Sequence, residues 1–112
     1  MALLRVGALP EGALDAAAAF HAEVLPKARD TLIGEDLTLV FGPAAPEHRG
    51  WRLAAVQQLA REHAPLRVNA LESDDEEAIA AAAAYVREAP GLTGQLLPLD
   101  GTGAMALLYQ QT

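Results

Sequence analysis

The 112-residue chain contains no cysteine, one lysine, one serine and only 4% aromatic residues. Each shortage removes a class of chemistry. Without cysteine there are no disulfides, no thiolate nucleophile and no thiolate-bound metal, and a reducing compartment is permitted. The three histidines, His21, His48 and His63, stand at no metal-like spacing such as H-x-x-x-H, so no metal site is expected. Long apolar runs are also lacking. The opening MALLRVGALP is cut by Arg5 and Pro10, too early for a signal peptide or a membrane span, so a cytoplasmic location is expected. Basic residues are scarce as well: eight Lys and Arg against fifteen Asp and Glu give a formal net charge of −7. That balance repels phosphate backbones and anionic bilayers, so neither nucleic acid nor a membrane is expected as partner.

What the chain does have is alanine, which dominates its 52% hydrophobic fraction. Small side chains suit helices lying close against a sheet. A chain of 112 residues fits one domain, residues 1–112, in which folding hides roughly two thirds of the surface. Residues 2–6, ALLRV, form a run with hardly any alternation and are expected as a strand buried on both faces. Leu14, Ala17, His21, Val24 and Ala28 recur at helical steps, predicting a helix over 13–30 that Pro26 should bend or end early. Residues 37–41, LTLVF, are the clearest strand, closed by Gly42 and Pro43. Residues 51–64 read as a second helix, with Trp51, Ala55 and Leu59 in one row and Val56, Ala60 and Ala64 in another, up to Pro65. Strands over 66–71 and 95–99 flank a third helix, and Pro98 places the last strand at a sheet edge. The tail AMALLYQQT fits either a further strand or a loose terminal segment. The alternation predicts an α/β fold: a small three-layer Rossmann-like domain with a four-stranded, mainly parallel sheet and three main helices.

The acid-rich ESDDEE of residues 72–77 looks at first like a cation site. Ser73 stands three places before Glu76, ahead of a run of alanines, which is the pattern of a capping box. Ser73 is expected to accept the Glu76 amide while Glu76 reaches back, with Asp74, Asp75 and Glu77 complementing the helix dipole by ~0.5 kcal/mol each. A ligand groove is expected where open α/β sheets hold ligands, beyond the carboxyl end of LTLVF, formed by Gly42, His48, Arg49 and Glu72. His63, in a last helical turn, reads as a capping residue. Trp51 reads as a core or interface anchor, with Ala55 and Leu59 in the same row.

In their order along the chain, VLPKA, LTLVFG, LAREHAP, RVNA, AAAAYV and LTGQLLPLDG resemble the C-terminal half of short-chain dehydrogenases/reductases. RVNA and TGQ are the most specific pieces. The resemblance implies that LTLVF corresponds to the strand that in the family ends in the catalytic serine, and residues 59–65 to the end of the helix bearing the catalytic tyrosine and lysine. At those places this chain has Gly42 and Pro43, Ala45 and Arg49. The family's Tyr-x-x-x-Lys dyad, serine and glycine-rich dinucleotide loop are absent from the sequence, and its substrate-covering loop is replaced by Glu72 and the acidic stretch. A tyrosine made acidic by a neighbouring cation drives that hydride chemistry. Without it no catalytic residues and no cofactor are expected.

The resemblance also implies pairing of copies through the helices of residues 13–30 and 46–64, and a last crossover of left-handed sense that puts the helix after Ser73 on its own sheet face. The reading is therefore a non-catalytic, dehydrogenase-like protein acting through homodimerisation or protein association, with residues 2–6 as an open edge. The alternative is a small-molecule or nucleotide-binding protein, or an oxidoreductase subunit, whose site a second chain completes.

Overall fold

The computed structural model describes residues 1–99, in which four strands, β1 (Ala2–Arg5), β2 (Leu37–Phe41), β3 (Val68–Glu72) and β4 (Leu96–Pro98), form one sheet. All neighbouring pairs are parallel and the strand order is β1-β2-β3-β4. Register follows side-chain alternation: Leu3 lies beside Thr38, Arg5 beside Val40, and Val40 beside Leu71. The fold is α/β, with helical crossovers between successive strands. The tail from residue 100 onward, including Asp100, Gly101 and Tyr109, lies outside the described residues.

Parallel strands need covered faces, and each face has its own apolar layer. Leu37, Leu39, Phe41, Val68, Ala70 and Leu96 point to one side, where they meet Phe20, Ala28 and Leu32 of the first crossover and Ala55, Val56 and Leu59 of the second. Val40 and Leu71 point to the other, against Ala78, Ile79, Ala82 and Val86 of the third. Every crossover steps in the same direction across the sheet, so the helix on the opposite face makes a connection of opposite hand to the other two. Because right-handed crossovers are the rule, the last one is left-handed, as the resemblance implies.

The first crossover is one helical run, α1 (Ala13–Ala19), a π-helical turn over Phe20–Val24, and α2 (Leu25–Thr31). Pro26 neither ends nor breaks it. The proline lies in the first turn of α2, straight after the widened turn, where its missing amide is absorbed by the change of hydrogen-bond register. The second crossover contains a 3₁₀ turn at Pro46–His48 and α3 (Arg49–His63). Ala55 and Leu59 are buried against the sheet, and Trp51 packs on Phe20 and Phe41 with ring centroids 5.4 and 5.7 Å away. Of the two readings of that row, core or interface anchor, the structure shows its packing within the chain's own core.

Strand β1 also departs from expectation. Its residues alternate between half-buried and exposed: Leu4 packs on the first core, whereas Leu3 is 39% exposed and Arg5 is exposed. The helix on that face lies over β2 and β3 and leaves the outer strand bare. β4, with Pro98, occupies the other edge as expected.

The helix after the acidic stretch, α4 (Glu76–Arg87), starts two residues later than a Ser73 cap would place it. Asp75 is its N-cap, accepting from the Glu77 amide at 3.0 Å. Ser73 is buried and its Oγ accepts from the Asp75 amide at 2.9 Å, shaping the turn before the cap. Glu76 does not fold back. It forms a two-pronged pair with Arg5 of β1, at 3.0 and 2.9 Å. At the other end of α4, Arg67 Nη1 donates to the carbonyls of Val86 and Ala89 at 2.9 and 2.7 Å, a second bond for each, since they also accept from the Ala89 and Leu92 amides. Asn69 fastens the loop into β4, donating to Leu92 O and accepting from the Gln95 amide.

Candidate functional site

At the carboxyl ends of β1 and β2 the chain opens into a cleft of about 590 Å³. One wall is the loop from Val6 to Glu11 after β1; the other is Phe41 to His48 after β2; Arg52 of α3 closes the inner side. The location follows from the parallel sheet, whose strands all end on this side and whose loops diverge there. Val6, Leu9, Pro10, Phe41 and Pro43 make the walls largely apolar, and the ionisable groups are Glu11, Glu47, His48 and Arg52. Among the described residues no serine, threonine, tyrosine, cysteine or lysine lines it.

Arg52 is the group that sequence reading missed. Its side chain is only 6% exposed, and Nη1 donates both to Gly42 O at 2.9 Å and to Glu72 Oε2 at 2.8 Å. The guanidinium lies 4.4 Å from the centre of the Phe41 ring, a cation–π contact worth ~0.5–2 kcal/mol. Nε is fully buried without a hydrogen-bond partner, a deficit of ~1–3 kcal/mol in a folded protein. The signal was present in the sequence: Arg52 stands four places before Val56 and so begins the apolar row Val56, Ala60. A charge continuing a core row is a buried charge, and a buried charge needs a partner.

His48 ties the two walls together. Its ring lies between the Glu11 carbonyl, 2.8 Å from Nε2, and the Trp51 indole Nε1, 3.0 Å from Nδ1. A carbonyl only accepts and an indole N–H only donates, so Nε2 carries the proton and Nδ1 the lone pair. Both nitrogens are used up by structure, and the ring is 6% exposed. It has no free lone pair with which to act as a base.

Of the four groove residues expected from the sequence, Gly42 and His48 line the cleft. Glu72 is joined to it through Arg52. Arg49 is exposed at the start of α3 and outside the cleft lining. His63 Nδ1 donates to Leu59 O at 2.9 Å within α3 and His21 Nδ1 to Ala17 O at 2.7 Å, so both serve their own helices. Among the described residues no cluster of three His, Cys, Asp or Glu has metal-binding geometry, and no helix is long and apolar enough to cross a membrane. Ala45 lines the cleft and offers only a methyl group.

A protein-family model described as short chain dehydrogenase-like protein matches residues 4–99. That span includes every described strand and helix apart from the first two residues of β1. No curated protein and no solved structure matches the chain.

Proposed function

The chain belongs to the short-chain dehydrogenase-like family, and from that premise we propose that it is a non-catalytic member acting in the cytoplasm through association with a second copy of itself. The observation that carries this reading is the outer edge of β1. Ala2 and Val6 donate to Asp36 O and Val40 O of the β2 side, so by alternation Leu3 and Arg5 turn their amides and carbonyls away from the sheet. Such an edge is a template for another strand unless something blunts it. Here no proline or lysine does so, and Leu3 adds an apolar side chain that is 39% exposed. Two copies of β1 related by a two-fold axis satisfy each other with the same residues, as an isologous contact requires. The catalytic side favours the same reading: the resemblance puts Gly42, Pro43, Ala45 and Arg49 at the places of the family's serine, tyrosine and lysine, and among the described residues the cleft lining supplies no hydroxyl acid.

Light scattering coupled to size exclusion, across a hundred-fold range of concentration, tests the proposal. The expected result is a dimer that Leu3→Lys converts to monomer, since a charge on the edge opposes strand addition. A monomer at every concentration overturns it. Calorimetric titration with NAD(H) and NADP(H) is expected to give no heat of binding, and turnover of any carbonyl or alcohol with either nucleotide would end the non-catalytic reading.

A further inference from the structure

We propose that the cleft binds a small zwitterion: an organic acid whose carboxylate engages Arg52 and whose ammonium group faces the rim carboxylates of Glu11 and Glu47. Both hydrogen bonds of Arg52 leave from Nη1, while Nε, on the opposite edge of the planar group, has no acceptor. Nε itself is closed off from solvent, so the nitrogen left for a ligand is Nη2, which bonds no described residue and can donate a charge-assisted hydrogen bond to a carboxylate oxygen. Arg52 lines the cleft and is 95% buried, at 5% exposure, so its orientation is fixed by packing before any ligand arrives.

Charge balance selects among acids. The Arg52 charge is already opposed by Glu72 at 2.8 Å, and the other formal charges of the lining, Glu11 and Glu47, are negative. A simple monoanion therefore meets no net positive charge, and a phosphate or dinucleotide meets repulsion at the rim. An acid that also carries an ammonium group satisfies the inner guanidinium nitrogen and the rim together. Val6, Leu9 and Phe41 provide apolar wall for the carbon skeleton between them, and about 590 Å³ is a volume suited to a small organic ligand. Among the described residues the lining offers no hydroxyl, thiol or amine, so the inference is of a ligand held and not transformed. The cleft is built within one chain, so this inference stands whether or not copies associate.

The test is an amide NMR titration at low salt with 6-aminohexanoate, hexanoate and hexylamine, which share a skeleton and differ in their charged ends. The expected result is saturable binding of 6-aminohexanoate that moves the amides of residues 7–11 and 42–48, with hexanoate and hexylamine each about ten-fold weaker or worse. Arg52→Lys keeps a charge for Glu72 but removes the Nη2 donor, and is expected to weaken 6-aminohexanoate about ten-fold. Ala45→Trp fills the cleft from an exposed loop position without touching Arg52, and is expected to abolish binding; if Arg52→Lys fails to fold, this variant decides. Replacing Glu11 and Glu47 together by glutamine is expected to erase the preference over hexanoate. Absence of saturable 6-aminohexanoate binding, equal binding of hexylamine, or binding undiminished in Ala45→Trp overturns the proposal.

Discussion

The Asp36 carboxylate accepts twice from Arg67, from its main-chain amide at 2.8 Å and from its side-chain Nε at 3.0 Å. The same arginine reaches on to the carbonyls at the end of α4, so one residue joins the start of β2, the start of β3 and the end of the last helix. The Arg67 amide, followed by its side-chain bond and charge, holds the Asp36 carboxyl below the usual carboxylate range against the opposing effect of partial burial.

Acid is expected to loosen this junction. Because the folded carboxyl titrates below its unfolded value of about 3.9, its contribution is fully present above that value and is lost as pH falls through the lowered one. Asp36→Asn removes the charge at every pH. Urea unfolding of the native chain and of Asp36→Asn is expected to show a stability gap at pH 7 that narrows as pH falls below about 4. A gap of constant size across that range would show that the charge does not matter.

Glu72 and Arg52 are expected to behave as a unit. Glu72→Gln leaves a buried guanidinium without its counter-charge and should cost about 3–5 kcal/mol by denaturant unfolding. The pair replacement Arg52→Met with Glu72→Leu should cost far less, because it also removes the unsatisfied Nε and the desolvation of two charges. If the single and double variants are equally destabilised, the coupling is absent.

Removing His48 should act locally. His48→Ala deletes the bonds to Glu11 O and Trp51 Nε1 and is expected to cost about 2 kcal/mol. Hydrogen exchange should quicken in residues 7–12 and 42–48, with β3 protected as before. Uniform quickening throughout the sheet would contradict a role confined to the cleft walls.

The start of α4 separates two cap assignments. Asp75→Ala is expected to lower stability by about 1 kcal/mol, as loss of an N-cap does. Glu76→Ala should cost less than about 1 kcal/mol, since it deletes only the exposed pair with Arg5. Thermal unfolding of the two variants checks the order, and a larger loss for Glu76→Ala would restore the Ser73 box.

Strand and helix identities were legible because LTLVF and the alanine runs carry strong local patterns, and the parallel order followed from their alternation. Details set by distant partners were not. Whether Leu3 is covered depends on how far α4 extends across the sheet, which no local pattern encodes. Ser73 and Asp75 are both good caps, and the choice was made by burial of Ser73 and by Arg5 drawing Glu76 away. The cleft was half legible: Gly42 and His48 follow from the end of β2, whereas Arg52 was hidden in a helix row that invites only apolar reading. Arg49 misled because a charge beside a strand end looks placed for a ligand, although the helix begins there and carries it outward.

The reversed hand of the last connection leaves a partition one peptide thick, made of β2, β3 and β4, between two oily compartments. Prising α4 from its side would empty the smaller compartment and leave the larger, with its aromatic trio of Phe20, Phe41 and Trp51, sealed. The molecule thus has a back panel, α4, that shares no apolar layer with the wall bearing the cleft.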